Sequence, residues 1–254
     1  MPEIFKQRLE RELKDLRSKN LFREHLNLKH DVINLTTNDY LYLRNNKQVL
    51  EFANSIAQKY GTGSGASPLL SGYLSCHQML IDKLLSWKQK KNGMLYNSGY
   101  VANQALIKNL TGKHDLILVD KLIHHSITQS LNRNSSKFKR YDHLDLCHLE
   151  ELLSKNIKNY ETIFVYTESI FSMDGDYPDL KKLVELKKKY PFILILDEAH
   201  GTGILGSNGA GLSEETGTFN DVDIIIGTLG KSLASMGAYV LTNSTQIIEY
   251  LMNK

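Results

Sequence analysis

The sequence predicts an α/β fold around a largely parallel sheet. Strand-like apolar runs alternate with amphipathic, helix-like segments along most of the 254 residues, which is the pattern of βα units. Two of these runs, residues 192–196 and 223–226, are followed by polar segments that supply Asp197, His200 and Lys231. Ligands of open α/β sheets bind at the carboxyl ends of the strands. We therefore expect these three side chains to share one site.

Helices are predicted where apolar residues recur at helical spacing. They cover residues 3–20, 47–60, 76–90, 99–110, 123–131, 145–154, 179–189 and 244–253. The second helix ends at Gly61, which suits the left-handed position that often follows a helix.

Strands are predicted at short apolar runs bounded by polar or turn-forming residues. They cover residues 32–35, 93–96, 116–119, 162–167, 192–197, 224–228 and 238–241. The last strand follows Lys231 too closely for a crossover helix, so we expect it to form an antiparallel hairpin with the strand before it.

Composition and charge argue against several classes of protein. Thirty-one basic and 28 acidic residues give a formal net charge of +3, which is too balanced to indicate binding to nucleic acid or to an anionic membrane. The N-terminus has no apolar signal core, and no apolar run approaches the roughly 18 residues of a membrane span. Cys76 and Cys147 lack Cys-x-x-Cys spacing, so neither a disulfide framework nor a zinc site is indicated. We expect a cytoplasmic protein with reduced thiols.

Other ligand-binding motifs fail on their spacing or context. Gly230, Lys231 and Ser232 resemble the end of a phosphate loop, but Ile225 stands where that loop requires glycine. The glycine-rich segment 61–65 follows a helix and not a strand, which excludes a dinucleotide-binding fold. No histidine has the His-x-x-x-His spacing of a metal site; those considered are His124, His125, His143 and His148. We expect no metal.

Lys231 has the setting of a reactive amine. A lysine just past a buried strand lies near surroundings of low dielectric, which disfavour its charged form. The neutral amine is the nucleophile that a Schiff-base lysine supplies.

Motifs from near Asn38 to near Lys231 resemble the α-oxoamine synthase family of pyridoxal phosphate enzymes. The matching segments are 38–41, 71–73 with His77, 97–103, 120–126, 168–176, 197–203 and 228–231. The resemblance implies fold type I, that of aspartate aminotransferase, with a mostly parallel, mixed sheet. It places an N-terminal helical arm at residues 1–36 and the cofactor-binding large domain at residues 37–254.

The resemblance also assigns roles in binding the cofactor ring. Lys231 would hold pyridoxal phosphate covalently and later act as the base on the substrate's α-proton. Asp197 would pair with the pyridine nitrogen, so that the ring can accept electrons. His124 would stack over the ring, and His200 and Ser172 would contact its phenolic oxygen.

The remaining predicted site residues concern the phosphate and the substrate. Gly99 and Tyr100 open a predicted helix, and free N–H groups at such an end bind phosphate. Thr228 would add a hydroxyl to the phosphate. By resemblance, Arg23 and Asn38 would join His124 in binding the substrate.

Within the family, segments 71–73 and 197–203 most resemble the branch that serves biotin synthesis. That branch implies condensation of L-alanine with a pimeloyl thioester, on coenzyme A or acyl carrier protein, with loss of carbon dioxide. Glycine C-acetyltransferase, serine palmitoyltransferase and 5-aminolevulinate synthase types remain alternatives, because Tyr42 and Pro68 depart from the family pattern. The family also implies a homodimer.

The last residues, 245–254, follow a helix pattern without a stop signal. We therefore expect a chain truncated before the family's C-terminal small domain. Such a chain would bind the cofactor with little synthase activity, or would be an inactive remnant.

Overall fold

The computed structural model describes residues 1–25, 27, 32–132 and 134–254. The chain divides into two compact units, Met1–Thr37 and Asn38–Lys254. The first unit contains helix α1 (Glu3–Ser18), which has no buried residue. The strand predicted at residues 32–35 is wrong: this segment has no regular structure, and no other described segment pairs with it.

A mixed sheet of seven strands forms the centre of the second unit, within the described residues. The strands are β1 (Asn92–Tyr96), β2 (Leu116–Asp120), β3 (Lys137–Tyr141), β4 (Ile163–Glu168), β5 (Ile193–Asp197), β6 (Ile224–Thr228) and β7 (Ala238–Thr242). Their order in the sheet is β1-β7-β6-β5-β4-β2-β3. Strands β2 to β6 are parallel. Strand β7 runs antiparallel to β6 and β1, which confirms the predicted hairpin.

Helices connect and flank these strands. They are α2 (Lys47–Tyr60), α3 (Ser75–Lys88), α4 (Gly99–Leu110), α5 (His125–Leu131), α6 (Leu146–Asn156), α7 (Leu180–Lys189), α8 (Leu212–Glu215) and α9 (Thr245–Met252), with a 3-10 turn at Leu43–Asn45. The predicted helices are confirmed to within two residues at each end, and only the short α8 was not predicted. Gly61 follows α2 with φ of 83°, as expected for its position.

Alternate residues of each strand face opposite sides of the sheet. In β2, Leu116 and Leu118 pack in one apolar cluster with residues of α3, α6 and α7. Ile117 and Val119 pack in a second cluster with residues of α4, α5 and α9. Helices therefore cover both faces, which gives a three-layer α/β unit. Fully burying one such aliphatic side chain contributes about 1.5–3 kcal/mol.

The strand order reverses between β2 and β4. From β2 the chain extends the sheet outward to β3, then returns to place β4 on the other side of β2 and continues to β5 and β6. The carboxyl ends of β2 and β4 therefore flank a topological switch point, where open α/β sheets bind their ligands. None of the helices in the described residues has the length and apolar composition required to cross a bilayer.

Candidate active site

Side chains from neighbouring strand ends meet at the carboxyl edge of the sheet. Glu168, which ends β4, is the register partner of Asp197, which ends β5. Thr228 ends β6, the next strand. The segments after β5 and β6 carry His200 and Lys231, and the His200 Nε2 and Lys231 Nζ atoms lie 2.6 Å apart. The edge therefore holds a carboxylate, an imidazole and an amine together.

Asp197 is a buried carboxyl in a fixed orientation. Its Oδ2 accepts a hydrogen bond from Asn103 Nδ2 at 2.9 Å, and its Oδ1 accepts one from the backbone N–H of Ala199 at 2.9 Å. Asn103 is itself held by Tyr166, whose hydroxyl donates to the amide oxygen. No lysine or arginine among the described residues forms a salt bridge with Asp197. Its negative charge therefore remains available to a cationic group bound at this edge.

Glu168 is a second buried carboxyl beside Asp197. Its Oε1 accepts a hydrogen bond from the backbone N–H of His124 at 2.6 Å. Burial, followed by the neighbouring charge of Asp197, raises the pKa of the Glu168 carboxyl. Glu168 therefore keeps its proton to a higher pH than an exposed glutamate does.

Burial also changes the protonation of Lys231. The side chain is half-buried, and desolvation lowers the pKa of its amine, although the charges of Asp197 and Glu168 oppose the shift. A larger fraction of the amine is therefore neutral, and hence nucleophilic, than for an exposed lysine.

Two other buried lysines serve a different purpose. Lys88 Nζ donates to Thr202 Oγ1 and to the Ala210 carbonyl at 2.8 and 2.7 Å. Lys90 Nζ donates to the carbonyls of Phe219 and Val222, and burial lowers its pKa to about 8. Both amines are bound to acceptors within the protein body, so a lowered pKa does not by itself mark the reactive lysine.

His200 is buried between Tyr40 and Lys231. Its Nδ1 lies 2.7 Å from the Tyr40 hydroxyl, and its Nε2 contacts the Lys231 amine. Burial, with the positive charge of Lys231, lowers the pKa of His200 to about 4. The imidazole is therefore neutral at physiological pH.

His124 lies between β2 and α5, where it caps the helix. Its Nδ1 accepts from the backbone N–H of Ser126 at 3.2 Å and lies 2.8 Å from the Ser126 hydroxyl. Partial desolvation lowers the pKa of His124, and Lys231 adds to this while Asp197 opposes it. The ring is held at one nitrogen, and the residue as a whole is still accessible to solvent. Its predicted role, stacking on a cofactor ring, stays a prediction.

The N-terminus of α4 lies beside the end of β6. The Ser98 hydroxyl accepts from the backbone N–H of Val101, and the N–H groups of Gly99 and Tyr100 lack acceptors within the helix, as at every helix start. A Cβ built on Gly99 would lie 3.9 Å from Thr228 Cβ, so the first turn of α4 adjoins the predicted phosphate ligand. The Thr228 hydroxyl donates to the Gly237 carbonyl at 3.1 Å.

The other predicted residues differ in their surroundings. Asn38 Oδ1 accepts a hydrogen bond from the Tyr40 hydroxyl at 3.0 Å, which links Asn38 through Tyr40 to His200. Ser172 is exposed in the segment that follows β4. Arg23 belongs to the first compact unit. The roles of Asn38, Ser172 and Arg23 stay predictions.

Three side chains at this edge had no role in the sequence analysis: Tyr40, Asn103 and Glu168. All three lie within motifs that carried the family resemblance, but a motif does not show what its members contact. The signal for Asn103 is a polar residue on the buried face of α4, which also includes Ala102 and Leu106.

The donor set fits pyridoxal phosphate. Lys231 offers an amine for the aldehyde, Asp197 offers an anion for the protonated ring nitrogen, and the start of α4 offers N–H groups and the positive end of a helix dipole for the phosphate. All three features lie along the same edge of the sheet.

Comparison with known proteins assigns the chain to a family. Residues 30–253 match the family described as aminotransferase class I and II. The chain is 39% identical, over 96% of its length, to a putative 8-amino-7-oxononanoate synthase of Pasteurella multocida. It is 41% identical, over 88% of its length, to the 8-amino-7-oxononanoate synthase of Chlorobaculum parvum. The chain spans 66% and 58% of these two relatives, less than two thirds of either.

Solved structures agree on the fold. The 8-amino-7-oxononanoate synthase of Francisella tularensis superposes with a TM-score of 0.75 at 30% identity, covering 89% of this chain and 62% of that one. A serine palmitoyltransferase of S. paucimobilis, which holds pyridoxal phosphate, superposes with a TM-score of 0.87 over 99% of this chain and 69% of that one. Its 24% identity shows the shared fold alone. These comparisons confirm the fold expected from the sequence motifs.

Proposed function

The chain belongs to the aminotransferase class I and II family and has the fold of its pyridoxal phosphate-dependent members. We propose that it functions as an α-oxoamine synthase. The reaction joins the α-carbon of L-alanine to the acyl carbon of a pimeloyl thioester, carried by coenzyme A or acyl carrier protein. The alanine carboxylate leaves as carbon dioxide, the carbon–sulfur bond breaks to release the thiol, and one proton is taken up. The product is 8-amino-7-oxononanoate, a precursor of biotin.

One observation carries this proposal: the Lys231 amine lies 2.6 Å from a neutral, buried imidazole, at the edge that holds the buried Asp197. Pyridoxal phosphate, when bound, supplies an aldehyde that reacts with amines and a ring that accepts the electron pair of the α-carbon. The names of the relatives supply the product, 8-amino-7-oxononanoate, and the family resemblance supplies alanine and the pimeloyl thioester as substrates.

Lys231 would have two roles. Its neutral amine would hold the cofactor, and desolvation favours that neutral form. Lys231 Nζ would also accept the α-proton of the substrate as a general base.

Asp197 would pair with the ring nitrogen and keep it protonated. Hydrogen bonds from Asn103 and Ala199 fix both oxygens of the carboxylate before any ligand arrives. This preorganised charge favours electron flow into the ring.

The remaining predicted residues orient the ligands. The N–H groups of Gly99 and Tyr100, with Thr228 beside them, hold the phosphate at the start of α4.

His124 would stack on the cofactor ring and, with Asn38, would bind the substrate. For Arg23, a role in binding the substrate rests on the family resemblance alone. His200 and Ser172 contact the phenolic oxygen.

We also propose that the protein is a cytoplasmic homodimer. None of the fourteen residues of α2 is buried, although the helix is amphipathic. Its exposed apolar residues include Val49, Leu50 and Phe52. A second copy of the chain is the partner that the family's usual assembly provides.

The amino acid and the acyl donor can be tested separately. The chain with pyridoxal phosphate is incubated in heavy water with alanine, glycine or serine, and loss of the α-proton is followed by NMR. Pimeloyl, acetyl or palmitoyl thioesters of coenzyme A are then added, and products are identified by mass spectrometry. We expect exchange to be fastest with alanine. Because synthase activity of this chain is expected to be low, we expect only a small amount of condensation product, and only with the pimeloyl thioester.

Two results would contradict the proposal. Preference for glycine with an acetyl donor, or for serine with a palmitoyl donor, would assign the chain to another branch of the family. Bound cofactor without exchange of any amino acid would indicate a cofactor-binding chain that does not catalyse. Lys231→Ala abolishes exchange if the account is correct, while Lys113→Ala, at an exposed lysine, serves as the matched control.

A further inference from the structure

A continuous line of hydrogen bonds connects Asn38 to Lys231. The Tyr40 hydroxyl lies 3.0 Å from Asn38 Oδ1 and 2.7 Å from His200 Nδ1. The other ring nitrogen, His200 Nε2, lies 2.6 Å from Lys231 Nζ. Tyr40 and His200 are 160 residues apart in sequence, so the contact is formed by the tertiary fold.

We propose that Tyr40 is a positioning residue that holds His200 in the Nδ1–H tautomer, with the Nε2 lone pair directed at the Lys231 amine. The proposal rests on the proposed function for its catalytic consequence, since it concerns the same amine. The tautomer itself is a property of the folded chain and can be measured without turnover.

Counting protons along the line selects this tautomer. The amide oxygen of Asn38 can only accept, and an amine can donate in either protonation state. If Tyr40 donates to Asn38 Oδ1, its oxygen accepts from His200 Nδ1–H, and Nε2 accepts from Lys231. Each of the three contacts then contains one proton.

The opposite tautomer leaves one contact without a proton. If Tyr40 donated to His200 Nδ1, its oxygen would face Asn38 Oδ1 at 3.0 Å with lone pairs on both atoms. The Nε2–H group would then need the lone pair of a neutral Lys231 amine as its acceptor. A neutral imidazole has only one N–H group, so the first arrangement is the one that satisfies every contact.

The backbone around Tyr40 is anchored independently of His200. The carboxylate of Asp39 accepts from the backbone N–H groups of Leu43 and Arg44 at 2.9 and 3.2 Å. The Asp39 carbonyl accepts from the N–H of Tyr42 at 3.0 Å. This turn fixes the backbone at Tyr40, so the point from which the phenol extends does not depend on the imidazole that the phenol orients.

The tautomer determines what His200 can do at the reactive amine. With a bare Nε2, the imidazole accepts a proton or a hydrogen bond from Lys231 or from a hydroxyl bound there, but it does not donate one. Losing the Tyr40 hydroxyl removes the acceptor at Nδ1 and allows the proton to move to Nε2. The Lys231 amine would then face the N–H group at His200 Nε2, which is a hydrogen-bond donor.

NMR of protein labelled with ¹⁵N-histidine, without cofactor, tests the assignment. Long-range ¹H–¹⁵N spectra distinguish a protonated ring nitrogen from a bare one, and the His200 signals are identified by their loss in His200→Gln. We expect a protonated Nδ1 and a bare Nε2 in the wild type. In Tyr40→Phe we expect the proton to move to Nε2 or to be shared between the nitrogens. Tyr42→Phe, at a 73% exposed residue, is the matched control and retains the wild-type pattern.

A protonated Nε2 in the wild type, or an unchanged pattern in Tyr40→Phe, would overturn the proposal. The His143 signals show whether Tyr40→Phe folds. If this variant does not fold, the wild-type spectrum still determines the tautomer of His200. The amino-acid exchange experiment tests the proposed function separately. If the expected tautomer is present but no amino acid exchanges its α-proton, the result counts against the proposed function and not against the role of Tyr40.

Discussion

Burial lowers the pKa of both Lys231 and His200, and so favours the neutral form of each side chain. Because the His200 imidazole is neutral at physiological pH, it can lie 2.6 Å from the Lys231 amine without charge repulsion. Sequence reasoning predicted a reactive lysine from its position after a buried strand, and the lowered pKa agrees with that argument. It did not identify Tyr40 or Glu168, because their roles depend on contacts between distant segments.

At Asp197, substitution by asparagine is expected to remove the anionic partner of the ring nitrogen and leave the fold intact. Loss of one preorganised electrostatic group costs roughly 10²–10³-fold in rate. We therefore expect α-proton exchange of alanine to slow by about that factor in Asp197→Asn, measured by NMR in heavy water.

Asp142→Asn is the control, since that carboxylate is exposed and pairs with Lys121 on the surface. Wild-type exchange in Asp197→Asn would show that Asp197 has another function.

The imidazole of His143 links two elements of the fold, the end of β2 and the segment after β4. His143 Nδ1 lies 2.8 Å from Asp120 Oδ1, and His143 Nε2 lies 3.0 Å from Asp176 Oδ2. The ring also meets Phe171 edge-on. The segment held in this way includes Ser172, so its conformation bears on the predicted cofactor contact.

The His143 link predicts a pH-dependent stability. Burial disfavours its charge, but the hydrogen bonds to Asp120 and Asp176 outweigh burial and raise the pKa of His143. The stabilisation is therefore present below the ordinary pKa of 6.5 and is lost as pH rises through the raised value. We expect His143→Gln to lower Tm by roughly 2–4 °C at about pH 6 and by less at about pH 9.

Thermal unfolding by circular dichroism at both pH values measures this difference. His114→Gln, at an exposed histidine before β2, is the control. An equal loss at both pH values would contradict the charged link.

The sequence predicted most elements correctly but missed two, for different physical reasons. Strand β3 (Lys137–Tyr141) has three basic residues among five, which is typical of a solvated surface but also protects the edge of a sheet. The start of helix α8 (Leu212–Glu215) is capped by the carboxylate of Glu198, which precedes β6 in the chain. Glu198 accepts hydrogen bonds from the N–H groups of Leu212 and Ser213, both at 3.0 Å. Gly211 precedes it with φ of 102°, and a Cβ there would lie 1.8 Å from Glu198 Oε2.

For the whole molecule, the unburied face of α2 predicts self-association. Apolar side chains such as Phe52, 65% exposed, are costly to leave in water, at about 25 cal/mol per Å². We expect a dimer in sedimentation velocity at micromolar concentration, and a shift toward monomer in Phe52→Glu.

Asn54→Glu adds the same charge on the other side of α2 and is expected to remain dimeric. A wild-type monomer throughout the micromolar range would contradict the dimer.

The proposed function depends first on attachment of the cofactor at Lys231, and a labelling experiment measures this attachment. The chain is incubated with pyridoxal phosphate, reduced with borohydride and digested, and the modified peptide is located by mass spectrometry. We predict the pyridoxyl mass on Lys231 and no stable label in Lys231→Ala. Label on Lys90, the other buried lysine whose pKa is lowered, or undiminished label in Lys231→Ala, would contradict the account.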